Sequence, residues 1–242
     1  MKSSEFIKEN IKIPAAQRPW MKMEEEELNE IERIPRSYYP GGKEVLPIRP
    51  SVTGKKIIPL PGGSGLGYYI KQLPTPIGSD GPGMTIYIVD PNKPSNQRDV
   101  KDDIIVGMLA LSKSRILSNA YNVDVVTVDE AYRGRGIGHS LYGIALSILK
   151  VTLLAGDKQT KDGARMWNML HNFPGVQING YFHRPRKVVP GELEYYKKIG
   201  ATQGENGFWF FPVKQGKNEL KGPAEIYGQH NNTGLIARWT GN

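Results

Sequence analysis

The sequence predicts a mixed α/β (α+β) fold, a largely antiparallel sheet flanked by helices, from three features of its patterning. Three β-rich runs, YYIKQL at 68 to 73, MTIYIVD at 84 to 90 and IIVGMLALS at 104 to 112, are separated only by turn-forming segments such as GSDGPG and PNKPSNQ. Strands in succession without an intervening helix give an antiparallel meander. A fourth run, NVDVVTV at 122 to 128, passes through the glycine-rich DEAYRGRGIGHS into a stretch with one apolar helical stripe. Beyond it, strand-like and helix-like segments alternate.

Residues 1 to about 60 differ in composition from the rest and form an N-terminal extension. Its acidic segment MEEEELNEIERI, at 23 to 34, sets Leu28, Ile31 and Ile34 at helical spacing, with Glu24 to Glu27 as a solvated face. The segment is read as an arm on the domain or as a partner-binding piece. PLPGGSGLG at 59 to 67 has the look of a phosphate loop, but it precedes a strand and lacks a following Lys-Ser or Lys-Thr. It is a turn or linker.

Ile137, Leu141, Ile144, Ala145 and Ile148 define the stripe of a helix from about 136 to 150. A strand VTLLAG at 151 to 156, a helix at about 160 to 171 and strands near 175 to 182 and 207 to 213 follow. The tail EIYGQHNNTGLIARW reads as a hairpin about Asn232 to Gly234 that extends the sheet or mediates association.

At 242 residues and 38% hydrophobic content, the chain is long enough for one sizeable domain with an extension. Thirty-two Lys and Arg against 24 Asp and Glu leave +8, a bias toward phosphates, acidic proteins or nucleic acid. With no cysteine there is no disulfide, thiolate zinc site or cysteine nucleophile. The histidines at 139, 171, 183 and 230 lack ligand spacing, so no metal site is expected. No apolar run reaches the roughly 18 residues of a spanning helix, and MKSSEFIKEN is charged rather than signal-like. The expectation is a cytoplasmic protein with no membrane partner.

A strand running into a helix through DEAYRGRGIGHS leaves the first helical N–H groups pointing outward beside the positive end of the dipole. Gly136 and Gly138 remove Cβ atoms where a pyrophosphate would lie, Arg133 and Arg135 add charge, and Ser140 adds a hydroxyl. A dinucleotide fingerprint would use Gly134, Gly136 and a later acid such as Asp157, but its third glycine falls on His139. The strands before the turn also lack the alternating helices of that fold.

VDEAYRGRGIGHSL instead resembles the acetyl-CoA signature of the GNAT N-acetyltransferase family: Arg133, two residues, Gly136, one residue, Gly138, with Val128 five residues before the Arg and the aromatic Tyr132 just ahead of it. The resemblance spans about 66 to 213 and is specific over 122 to 149. It implies a domain over 61 to 215, with 216 to 242 as a hairpin or tail, and a mixed, mostly antiparallel sheet that splays at the signature strand. It further implies acetyl-CoA as cosubstrate, with pantetheine contacts at Val126 and Val128. Pyrophosphate contacts would come from the backbone of Arg133, Gly134, Arg135, Gly136, Ile137, Gly138 and His139, with Ser140 nearby. One departure is that KQLPTPIGSDGPG is too short for the helices the family places between its first strands. LAGDKQTKDGARMWNMLHN is also similar to acetyltransferase-like sequences common in bacteriophages.

In this family attack on the thioester is direct, so the lack of cysteine is no objection. The thioester oxygen would be held by the Val128 N–H or its neighbour. The proton donor is commonly a Tyr four residues before a Gly, and ELEYYKKIGA places Tyr196 there, with Tyr181 as a rival. A side-chain base would be Asp124, the one carboxylate of the signature strand, on the face of Val126 and Val128 by period two. Water-mediated deprotonation is the alternative. The expected partners are acetyl-CoA and an amine acceptor on a protein or small molecule. The competing readings are an acetyltransferase-like domain that works by binding a protein or nucleic-acid partner, and direct nucleic-acid binding with steep salt dependence.

Overall fold

The β-branched and aromatic runs are strands in the computed structural model, which describes residues 56–61, 64–72, 83–92, 104–115, 117–155, 159–183, 188–223 and 234–241. The acidic segment at 23 to 34, Asp157 and the tail's turn before Gly234 lie outside the described residues. The fold class is mixed α/β with mostly antiparallel sheet, and the chain divides at Val151 and Thr152 into two units.

In the first unit, β1 (Ile58–Pro59), β2 (Gly67–Gln72), β3 (Met84–Val89), β4 (Ile105–Lys113) and β5 (Ala120–Val128) pair as successive antiparallel neighbours. β1 and β2, at the two ends of PLPGGSGLG, pair antiparallel, and the Leu60 N–H donates to the Leu66 carbonyl at 2.9 Å. On one face of the sheet lie Ile86, Ile88, Leu109 and Leu111, all buried. On the other, Tyr69 and Tyr87 stack at 4.8 Å beside Val89 and Met108.

Helix α1 (Ile137–Gly143) covers the first of these faces, and its last turn widens to π geometry over Ile144–Ile148, where the Leu149 N–H reaches the Ile144 carbonyl. Ile137, Leu141, Ile144 and Ala145 are buried as their spacing predicts. Ile148, expected on the same stripe, is 46% exposed, and Leu146 is buried instead. Widening the turn rotates the residues that follow out of phase with the 3.6 period.

The second unit orders its strands β6 (Thr152–Leu154), β12 (Gly234–Trp239), β7 (Val176–His183), β9 (Phe208–Pro212) and β8 (Thr202–Gln203), all antiparallel. A separate ribbon joins β10 (Lys214–Gln215) to β11 (Leu220–Lys221). Helix α2 (Lys161–Leu170) is capped by the Thr160 hydroxyl, which accepts from the Gly163 N–H at 3.0 Å. Helix α3 (Pro190–Lys198) starts with Pro at its first position and the Glu192 carboxylate accepting the Val189 N–H. The C-terminal strand extends the sheet from within: β6 and β7 hold Gly234–Trp239 between them.

Gly107 decides how α1 seats. A Cβ there would come within 2.6 Å of Ile137 Cγ2 and 3.5 Å of Leu141 Cδ1, both on buried helix residues. Gly107→Ala is expected to lower the unfolding free energy by about 1–3 kcal/mol, the usual range for overpacking a core. Denaturant titration checks this; an unchanged midpoint would mean the helix is not seated on β4 as described.

Candidate anion-binding site

The Asp129 N–H donates to the Val106 carbonyl at 2.9 Å, which fixes the phase of the β4–β5 ladder. Antiparallel pairs alternate between hydrogen-bonded and non-hydrogen-bonded, so Val128 opposite Gly107 and Val126 opposite Leu109 belong to the second kind. Their N–H and C=O groups therefore project from the side of β5 away from β4. Sequence alone gives no such phase.

The chain leaves β5 through a single tight turn, Glu130–Tyr132, capped by the Asp129 carboxylate on the Ala131 N–H at 3.0 Å. The Tyr132 and Arg133 N–H groups close on the carbonyls of Asp129 and Glu130. Gly134 and Gly136 then both take φ = 76°, a left-handed conformation that favours glycine. A Cβ on either would project into open space, so these glycines serve the backbone path and leave the outer surface of the loop clear. The first helical hydrogen bond of α1 runs from the Ser140 N–H to the Gly136 carbonyl at 2.9 Å. The Ile137 and Gly138 N–H groups thus have no intrahelical acceptor.

Arg133, Gly134, Arg135 and Gly136 are exposed, Ile137 is buried, and Gly138, His139 and Ser140 are half-buried. Ser140 turns its hydroxyl back to the Gly136 carbonyl at 3.2 Å. Tyr132 donates to the Asp90 carboxylate at 2.7 Å, and the Arg135 guanidinium lies over the Tyr132 ring at 4.9 Å. Asp90 was not singled out by the sequence; the only signal is an acid at a strand end ahead of Pro91. Positive charge, outward N–H groups and a clear approach fit a phosphate or pyrophosphate.

Asp124 departs from its expected place. Ala110 pairs with Val125 but Leu111 pairs with Val123, so Asp124 is the extra residue of a β-bulge. The bulge breaks the period-two argument: Asp124 accepts a hydrogen bond from Ser112 at 2.8 Å, on the face shared with Ala110 and Asn122. Val126 and Val128 belong to the opposite face, with Leu109 and Gly107, where α1 lies. Although Asp124 is exposed as a residue, desolvation of its carboxyl raises its pKa from the ordinary aspartate value, with the Ser112 hydrogen bond pulling the other way.

The two tyrosines lie in the second unit and on opposite faces of its sheet. Tyr196 is 1% exposed, packed 5.0 Å from Phe182 and 4.9 Å from Trp209. Tyr181, paired with Phe210 and tilted against Phe208 at 6.2 Å, faces the other way. No group of His, Asp and Glu among the described residues is arranged to hold a metal ion, and no helix among them is long and apolar enough to cross a membrane.

No family model and no curated protein matches the chain. Among solved structures, an IAA acetyltransferase from Bacillus cereus aligns over 71% of this chain and 99% of its own, at 12% identity and a TM-score of 0.31. Nourseothricin acetyltransferase aligns over 73% and 88%, at 13% identity and a TM-score of 0.22.

A raised carboxyl pKa means that ionising Asp124 costs folding stability. That stability is present below the unfolded-state pKa and lost as pH rises through the folded-state value. Asp124→Asn, which can still accept from Ser112, is expected to raise Tm by about 1–2 °C at neutral pH and to leave it unchanged near about pH 3. Equal shifts at both pH values would contradict the desolvation described.

Proposed function

We propose that the chain is an acetyl-CoA-dependent N-acetyltransferase that moves an acetyl group directly to an amine. The observation that carries this reading is the turn between β5 and α1. Two left-handed glycines, two exposed arginines and the free N–H groups of the helix start follow one another within residues 133 to 138. A pyrophosphate is the chemical group that such a turn suits. The ladder phase supports the second half of the assignment, because Val126 and Val128 turn their backbone polar groups to one side of β5, as an amide-bearing pantetheine arm requires.

Acetyl-CoA supplies the thioester. The chain's own contribution is to grip the diphosphate at Arg133 to Ser140, to set the acyl carbonyl against a β5 N–H, and to handle two protons. The amine loses one on attacking the carbonyl carbon, and the departing CoA sulfur takes one as the C–S bond breaks. Water held at the site is assigned the first, because Asp124 lies on the face of β5 opposite Val126 and Val128. Tyr196 and Tyr181 are the candidates for the second.

A second reading draws on the full burial of Tyr196 between Phe182 and Trp209. On that reading the chain is an acetyltransferase-like domain without turnover, acting by binding a protein or nucleic-acid partner. Acetyl-CoA consumption with a panel of amines separates the two. Tyr196→Phe and Tyr181→Phe then identify the proton donor by which one lowers kcat.

Calorimetric titration with acetyl-CoA, CoA and NAD tests the site itself. Both CoA forms are expected to bind and NAD not. Gly136→Asp places a carboxylate where the diphosphate would sit, at a residue whose left-handed φ favours glycine. It is expected to weaken CoA binding at least about 100-fold, or ~2.7 kcal/mol, and to cost about 1–2 kcal/mol of stability from the left-handed φ, with Gly136→Ala as the control that carries the same strain without the charge. Equal affinity in the variant would remove the turn from the binding site.

A further inference from the structure

The two arginines of the turn are not equivalent. Arg133 is exposed, and among the described residues only its backbone N–H is engaged, on the Glu130 carbonyl at 3.2 Å. Arg135 lies over the Tyr132 ring at 4.9 Å, within cation–π range, and among the described residues no carboxylate or carbonyl takes its guanidinium hydrogens. Tyr132 is itself anchored, its hydroxyl donating to Asp90 at 2.7 Å across 42 residues of sequence.

Asp90 is held at three points. Its N–H donates to the Ile104 carbonyl at 2.8 Å, one carboxylate oxygen accepts the Asn92 N–H at 2.9 Å, and the other accepts Tyr132. A chain of contacts therefore runs from the fixed end of β3 through a phenol to a guanidinium whose donors remain unspent.

Resting on the CoA reading above, we propose that Arg135 is the side chain that takes the ligand's diphosphate, and that Tyr132 and Asp90 are positioning residues that hold it ready. A direct Asp90–Arg135 ion pair would also fix the arginine, but it would neutralise the charge the ligand needs. Placing a tyrosine between them fixes direction through the ring and leaves the hydrogen-bonding edge of the guanidinium for phosphate oxygens. Arg133 has no such anchor and must be ordered by the ligand at an entropic cost.

The test is CoA affinity of the full chain by calorimetry, with inorganic pyrophosphate as a second probe. Arg135→Ala is expected to weaken CoA binding about 10- to 100-fold and Arg133→Ala less than about threefold. Tyr132→Phe and Asp90→Ala should each cost about three- to tenfold, and the double variant no more than either alone. Asp90→Asn, whose one carbonyl oxygen can accept from Tyr132 or from the Asn92 N–H but not from both, should cost less than Asp90→Ala.

The deciding arm is Tyr132→Phe introduced into Arg135→Ala. If Tyr132 acts through Arg135, the second substitution has no further effect on CoA or pyrophosphate binding. A merely structural tyrosine would add its full loss in that background, and additivity would overturn the proposal while leaving the CoA reading intact. Failure of the unaltered chain to bind CoA would overturn both, and affinities of Arg133→Ala and Arg135→Ala that fall equally would overturn the distinction between the arginines.

Discussion

The seating of Ile137 on Gly107 is the contact on which the candidate site depends. It pins the first residue of α1 to β4, while the Asp129 N–H pins the end of β5 to the same strand one residue earlier, at Val106. The intervening loop is thus strung between two fixed points on adjacent residues of one strand. Its path is set by the spacing of the anchors and by two left-handed glycines, with no contribution from packing at its own glycines. A loop held in this way keeps its N–H groups oriented before any ligand arrives, which is where preorganised anion sites gain their affinity.

Much of the fold was legible because its strands announce themselves locally. MTIYIVD and IIVGMLALS lie within a residue or two of β3 and β4, and the stripe of Ile137, Leu141 and Ile144 gives α1 its buried face. What the sequence could not supply depends on register and phase. The bulge at Asp124 arises from pairing with β4, so period two put that carboxylate on the wrong face. The π turn changes helical phase without leaving a sequence mark, which is why Ile148 misses the core. Insertion of β12 between β6 and β7 joins segments more than fifty residues apart, beyond any local pattern.

The candidate site divides in the same way. DEAYRGRGIGHS could be read as an anion loop from residue types alone, because glycine, arginine and a helix start each carry their physics with them. Asp90 could not, since its part depends on β3 ending beside Tyr132. The aromatic residues of the second unit were equally opaque: ELEYYKKIGA shows two adjacent tyrosines, and only tertiary packing reveals that Tyr196 is enclosed with Phe182 and Trp209.

The placement of chromophores has its own consequence. Trp167, Trp209 and Trp239 all belong to the second unit, whereas the described aromatic side chains of the first unit are tyrosines, among them Tyr69, Tyr87 and Tyr132. Trp20 lies outside the described residues. Emission excited at the red edge of the near-ultraviolet band, where tyrosine does not absorb, is therefore weighted toward the second unit, while tyrosine difference absorbance reads both. Melting curves collected at the two wavelengths amount to a built-in test of cooperativity: coincident transitions mean one folding unit, and separated ones mean that each half of the chain carries its own stability.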